Sequence, residues 1–177
     1  MLCYTSAMEN LWAPWRMAYI APKTQPQGCI FCSQPAAHSD AEYHILYRGT
    51  LCFMMLNRYP YNNGHLMIAP YQHIASVEEL DAATLAELMA QVQLALRALR
   101  VAMKPDGFNM GINEGKAAGA GFADHMHFHI VPRWNGDTNF MPVIADIKVI
   151  PEHLDSVYQQ LKQALETLKD GQTTSEQ

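Results

Sequence analysis

Between residues 81 and 103, the apolar side chains Leu85, Leu88, Met89, Val92, Leu96, Leu99 and Met103 recur at three- and four-residue intervals. That period is the stripe of an amphipathic helix with one side turned to a core. Pro105-Asp106-Gly107 ends it, since proline brings no amide hydrogen and glycine suits a turn. A second stripe, Leu154, Val157, Tyr158, Leu161, Leu165 and Leu168, follows Pro151. Proline is tolerated in a first helical turn, so the pattern predicts a final helix starting there. Lys169-Asp170-Gly171 predicts its end, and the polar tail 172–177 is expected to be disordered.

The remaining apolar runs are short and β-prone. Residues 43–48 and 51–56 flank Gly49-Thr50 and read as a hairpin. Asn62-Asn63-Gly64 is a turn leading into a third strand at 65–69, and 108–113 reads as a fourth. A glycine-rich loop at 115–121 leads to a further strand at 125–131. The first forty residues hold Pro14, Pro22, Pro26 and Pro35 with no apolar period and read as a loop-rich arm. Strands in hairpin order around one long amphipathic helix, with a C-terminal helix, predict an α+β fold with an antiparallel sheet. A chain of 177 residues with no internal repeat suits a single domain over 1–177, in which 1–10 read as an extension.

The 125–131 strand carries the most pointed chemistry. His125, His127 and His129 alternate with Met126, Phe128 and Ile130. Successive side chains of a strand point to opposite faces, so the three imidazoles share one face. Three polar rings make a poor core, because burying them unpaired costs free energy. Facing a substrate, they supply nucleophile, acid and charge stabilisation together. Neighbouring histidines in such a row stand about 6–7 Å apart, from a rise of roughly 3.3 Å per residue. One metal ion cannot easily gather all three, so the row reads as a catalytic imidazole with helpers, one of them able to turn away to a metal.

His-x-His-x-His followed by apolar residues resembles the signature of the histidine triad (HIT) superfamily of nucleotidyl hydrolases and transferases. The likeness continues through Leu56-Asn57 and Tyr59-Pro60-Tyr61-Asn62-Asn63-Gly64-His65-Leu66-Met67-Ile68-Ala69-Pro70, similar to the family's ribose-binding segment. Asn113-Glu114-Gly115 resembles the loop that reaches the scissile phosphate. Leu11-Trp12-Ala13-Pro14-Trp15-Arg16-Met17, Asp124, and Val131-Pro132-Arg133-Trp134 continuing to Phe140 resemble the bacterial dinucleoside polyphosphate phosphorylase branch.

The resemblance implies that His127 attacks an α-phosphorus and that His129 stabilises the phosphate oxygens. Asn57 would bind the ribose, His65 would line the nucleotide pocket, and Asn113 would orient the phosphate. The backbone of Gly119 and Gly121, with Trp134, would receive an attacking phosphate ion. It also implies a homodimer. One position departs from the commoner hydrolase branches: Phe122 stands where they carry a hydroxyl that protonates the leaving group. A phenyl ring cannot deliver a proton. This favours a polyphosphate leaving group over an amine. Nucleoside phosphoramidate hydrolysis is therefore an alternative, as is a zinc-stabilised nucleotide-binding module with little turnover.

Cys29-Ile30-Phe31-Cys32 has the spacing of half a zinc site, and equally of a redox pair or two buried thiols. The resemblance completes a structural zinc site with His73 and His125. Cys3, Cys52, His38, His44 and His153 have no cluster around them in sequence. A net charge of −5 argues against a nonspecific nucleic-acid binder, though Arg16, Arg58, Lys116 and Arg133 are scattered candidates for a phosphate pocket. With 49% hydrophobic and 16% charged residues and no long apolar run, the expected class is a soluble globular protein without a membrane span. No leader pattern is visible at the N-terminus, and the expected location is the cytoplasm.

Overall fold

The structure is a computed structural model that describes residues 28–137 and 152–173, with side chains to 170. The proline-containing arm before residue 28, Pro151, the family-like segments at 11–17 and 138–140, and the tail at 174–177 lie outside the described residues. The chain divides into two units, Pro26–Asn135 with Ile150–Gln177, and Met1–Gln25 with Gly136–Val149. The second lies almost wholly outside the described residues, and the elements below belong to the first.

In chain order the elements are α1 (Ile30–Ala36), α2 (Asp40–Tyr43), β1 (Ile45–Arg48), β2 (Cys52–Leu56), β3 (Leu66–Pro70), α3 (Ala82–Met103), β4 (Gly107–Ile112), β5 (Phe128–Arg133) and α4 (Leu154–Thr173). Single 3-10 turns lie at Val77–Glu79 and Lys116–Ala118. The five strands form one antiparallel sheet in the order β1-β2-β3-β5-β4. The class is α+β, as the apolar pattern predicts.

Alternation sorts the sheet into two faces, both covered. Cys52, Met54 and Leu56 of β2, Leu66 and Ile68 of β3, and Ile130 of β5 join the main core with Leu88, Val92 and Leu99 of α3 and Val157, Leu161 and Leu165 of α4. The odd-numbered neighbours Phe53, Met55, Met67 and Ala69 form a second cluster on the other face with Phe31 of α1 and Ile45. Burial on both faces explains why β2 and β3 read as continuous apolar runs rather than alternating ones.

Local chemistry fixes the ends. Asp81 caps α3 by accepting the Thr84 amide at 2.7 Å. Gly64 closes the turn before β3 at φ +72°, a conformation glycine adopts without the steric cost of a Cβ. The β1–β2 hairpin is fastened to α3 by Glu87, whose carboxylate accepts the amides of Leu51 and Cys52 at 2.9 Å each. A Cβ on Gly49 would fall 2.1 Å from that carboxylate, so the turn can press against the helix only with glycine there.

Several boundaries differ from the sequence reading. The described end of the expected loop-rich arm holds α1 and α2, which are too short to show an apolar period. Tyr43 therefore ends a helix, and β1 begins at Ile45 after His44 turns through left-handed backbone, φ +55°. β5 begins at Phe128 rather than at His125, because ladder pairing on both sides stops there, at Ile68 and at Ile112. Met126 instead donates its amide to Ile74 in the loop after β3, at 2.7 Å. α4 begins at Leu154 rather than Pro151 and runs past Gly171 to Thr173. One glycine costs a helix only about 1 kcal/mol.

Candidate active site and metal site

β5 places His129 between Met67 of β3 and Gly111 of β4. His127, two residues earlier, keeps to the same side, with ring centroids 4.7 Å apart at 73°. The histidine side chains are nearly enclosed, with His127 at 5% and His129 at 8% exposure. Met126, Ile130 and the half-buried Phe128 pack into the main core on the opposite face. The single-face arrangement expected from the alternation therefore holds for His127 and His129, of which only His129 lies in regular strand, and it does not extend to His125.

The hydrogen bonds assign each ring its proton. Nδ1 of His127 lies 2.9 Å from the carbonyl of His125, which can only accept. In the neutral ring Nδ1 therefore carries the hydrogen and Nε2 presents a lone pair. At His65, Nδ1 accepts the backbone N–H of Tyr61 at 3.0 Å, with the Asn57 amide at 3.3 Å. Its hydrogen is then on Nε2, which donates to Nδ1 of His129 at 2.9 Å. His129 in turn carries its hydrogen on Nε2. Adjacent imidazoles thus hold opposite roles, a lone pair on His127 and a donor on His129. Burial pushes both below the ordinary imidazole value, His129 to about 4 with added repulsion from His127. At neutral pH both are uncharged, as these roles require.

His125 turns away from its two companions. Its Nδ1 lies 3.3 Å from Sγ of Cys29, 3.5 Å from Sγ of Cys32 and 3.1 Å from Nδ1 of His73. Sγ of Cys32 is 3.3 Å from Nδ1 of His73, and the four donor atoms all lie within 4.8 Å of one another. Zinc bonds near 2.3 Å to sulfur and 2.0–2.1 Å to nitrogen set tetrahedral edges of about 3.3–3.8 Å, close to the four separations of 3.1, 3.3, 3.3 and 3.5 Å. Two thiols and two imidazoles are the donor set of a closed structural zinc site. Nε2 of His125 donates to the Pro70 carbonyl at 3.0 Å, the kind of outer bond that aims a ligating imidazole. Burial and the neighbouring Cys29 raise the Cys32 thiol above its ordinary value.

The other expected site residues divide. Asn57 follows β2 beside His65, and its Oδ1 accepts the Tyr59 amide at 2.9 Å. Asn113 follows β4 directly, one residue beyond the Ile112–Phe128 pair at which the ladder ends, and is half-buried. His65 is fully buried and hydrogen-bonds His129 at 2.9 Å. The Gly119 amide is used inside its own turn, donating to Lys116 at 3.0 Å, so it is not directed at an anion. Gly121 lies in the exposed part of the same loop. Trp134 is seven residues along from His127, past the far end of β5, and its indole donates to the Met103 carbonyl at 3.4 Å. Within the chain it does not join the histidines.

Arg133 is engaged with Asn109 at 2.6 Å, Arg58 lines a cavity of about 260 Å³ with Gly64, His65 and Glu152, and Lys116 is exposed on its loop. Arg16 lies outside the described residues. Cys52 is buried, its thiol pushed up to about 12 by burial and then by Glu87 and Asp81. His44 pairs with Asp155 at 2.7 Å.

Three participants have no signal of their own in the sequence: the Pro70 carbonyl, the Tyr61 amide and Phe31. The last sits between the two cysteines, where sequence reading sees only a spacer.

The HIT domain family matches residues 38–136. The chain is 43% identical over 154 residues to AP-4-A phosphorylase of Mycobacterium tuberculosis, covering 83% of this chain and 79% of the relative. Among solved structures it is similar to a Zn-bound histidine triad family protein from Mycobacterium smegmatis (29% identity, TM-score 0.66, 81% of this chain and 97% of that one). A hypothetical histidine triad nucleotide-binding protein from Sulfolobus tokodaii is similar at 30% identity and TM-score 0.64, with 80% of this chain and 94% of that one covered. Family match, relatives and the row of three histidines agree, and the chain belongs to the histidine triad family.

Proposed function

We propose that this protein is an enzyme that cleaves a nucleoside polyphosphate, with diadenosine tetraphosphate as its reference substrate, through a covalent nucleotide on His127. The observation that carries the reading is the pair of opposite ring roles, a lone pair on Nε2 of His127 beside an N–H on Nε2 of His129.

Nε2 of His127 attacks the α-phosphorus. An N–P bond forms, and the P–O bond to the remaining nucleoside polyphosphate breaks. Splitting one displacement into two easier ones is the advantage of a covalent route. The positive charge that arises on His127 is met by the His125 carbonyl at Nδ1, and His129 donates to the phosphate oxygens as charge redistributes. Asn57, whose Oδ1 keeps a second lone pair, meets the ribose hydroxyls, and Asn113 orients the phosphate. A second acceptor then forms an O–P bond as the N–P bond breaks and the lone pair returns to His127. Phosphate as acceptor yields a nucleoside diphosphate; water yields the monophosphate and a proton.

The M. tuberculosis relative is named a phosphorylase, which supports phosphate as the acceptor. Phe122 packs edge-on against Phe31 at 5.8 Å, so an apolar ring replaces a proton donor and an anionic polyphosphate is the fitting leaving group. Cys29, Cys32, His73 and His125 would hold zinc, as the M. smegmatis relative is Zn-bound. With four protein ligands the ion would supply stability rather than a reactive position.

We further infer one domain over residues 1–177, a cytoplasmic location and a homodimer. No described helix is long and apolar enough to cross a membrane. β4 lies at the edge of the sheet with Met110 at 51% exposure, the kind of strand that pairs with another chain. The deciding experiment is incubation with diadenosine tetraphosphate with and without labelled phosphate. Label in ADP, with ATP as coproduct and a rate that rises with phosphate, is expected. AMP plus ATP with no label would make it a hydrolase, and no turnover would leave a binding module.

A further inference from the structure

The first turn of α1 is built on Cys29, whose carbonyl accepts the amides of Cys32 at 3.1 Å and Ser33 at 3.0 Å. That turn holds both thiols at the metal site and projects Phe31 from between them. The Phe31 ring is 1% exposed and lies face to face with His127, centroids 4.5 Å apart at 28°. It also meets His125 at 5.3 Å and receives Phe122 edge-on at 5.8 Å. His129 also meets His127, with centroids 4.7 Å apart at 73°.

A single hydrogen bond at Nδ1 does not fix an imidazole, since its terminal torsion is broad and two-fold. A flat aromatic face against it removes that freedom. We propose that Phe31 is a positioning residue for the reaction: its ring, carried on the Cys29–Cys32 turn, braces the His127 imidazole so that Nε2 stays aimed at the α-phosphorus. The inference rests on His127 as nucleophile. Metal-site residues and nucleophile are thereby joined at two points, the Phe31 face and the His125 carbonyl.

The test compares zinc-loaded wild type with Phe31→Leu, which keeps apolar bulk but loses the flat face, and with Phe31→Tyr, which keeps it. Diadenosine tetraphosphate cleavage is followed under steady-state and single-turnover conditions. Because small misplacements of reacting atoms cost up to about 10²-fold, kcat and the rate of nucleotidyl-enzyme formation should fall about tenfold or more in Phe31→Leu. KM should stay within about threefold, and Phe31→Tyr should recover most of the rate. Independently of activity, nitrogen NMR of labelled histidine should show His127 as one Nδ1–H tautomer in wild type and as a mixture in Phe31→Leu.

A raised KM with unchanged kcat would reduce Phe31 to a wall of the substrate pocket and overturn the proposal, as would an unchanged rate and a single tautomer. Should Phe31→Leu not fold, Phe31→Met, with its adaptable thioether, is read in the same way. His127→Ala run alongside separates the two readings: if it still turns over, the nucleophile assignment fails, whatever Phe31 does.

Discussion

His65 donates from Nε2 to Nδ1 of His129 at 2.9 Å, and that bond decides which nitrogen of His129 carries its hydrogen. The order runs outward from a backbone amide that can only donate, Tyr61 N–H, through His65 to His129. No titration is needed to set it.

Replacing His65 by phenylalanine keeps a ring but removes both nitrogens. His129 then loses the partner that holds its tautomer, and its donor is no longer guaranteed. Loss of one donor to developing charge costs about 10²–10³ in rate, and kcat for diadenosine tetraphosphate cleavage should fall by that order. His65→Gln, which can both accept and donate, should recover part of it. Equal rates in wild type and His65→Phe would remove His65 from the relay.

At His127 the expectation is all-or-none for chemistry and mild for binding. His127→Ala should abolish turnover and labelling of the protein by substrate. Nucleotide affinity, measured calorimetrically, should stay within roughly tenfold, about 1.4 kcal/mol. Near-normal turnover would sink the assignment.

Acid should destabilise the fold through His129. Its imidazole titrates at about 4 in the folded chain, against an ordinary value near 6.5 once unfolded. Between those values the unfolded chain binds more protons, so stability falls as pH falls. The contribution is fully present above about 6.5 and is lost progressively toward about 4, on the order of 3 kcal/mol in all. Melting temperature against pH should therefore drop less steeply in His129→Gln than in wild type. Loss of metal in acid affects both proteins alike, so the difference isolates His129. Parallel curves would refute the prediction.

Elemental analysis of the purified protein should find about one zinc per chain, as a closed four-ligand site requires. Cys29→Ser with Cys32→Ser should lose it and melt at lower temperature, because metal binding to a preformed site contributes to folding. Metal-free wild type that melts with the double variant would show that the four donors serve no ion.

Much of this architecture is written in local patterns, and the reason differs by element. The 3.6-residue stripes of α3 and α4 and the turn at Asn62-Asn63-Gly64 are strong signals because each depends only on neighbours in sequence. α1 is invisible in the same terms, since seven residues are too few to show a period. The alternation of its neighbours predicts a strand at His125, yet the Ile74 and Pro70 carbonyls, about fifty residues away, take that segment out of the ladder. Resemblance groups Trp134 and Gly119 with the histidines. The structure gives their N–H groups to Met103 and Lys116 instead.

The sequence by itself determined the chemical inventory: a row of three alternating imidazoles, a cysteine pair, one further histidine at 73, and apolar stripes sufficient for one sheet and two long helices. Side-chain type and short-range period carry that information without a fold. Only the tertiary structure decided the roles. Which nitrogen of each ring bears its hydrogen depends on the carbonyl of His125, the amide of Tyr61 and the ring of His65. Which face braces His127 depends on a phenylalanine ninety-six residues earlier. Proton position and ring orientation are set by partners within about 3 to 5 Å in space, and spacing along the chain does not encode those distances.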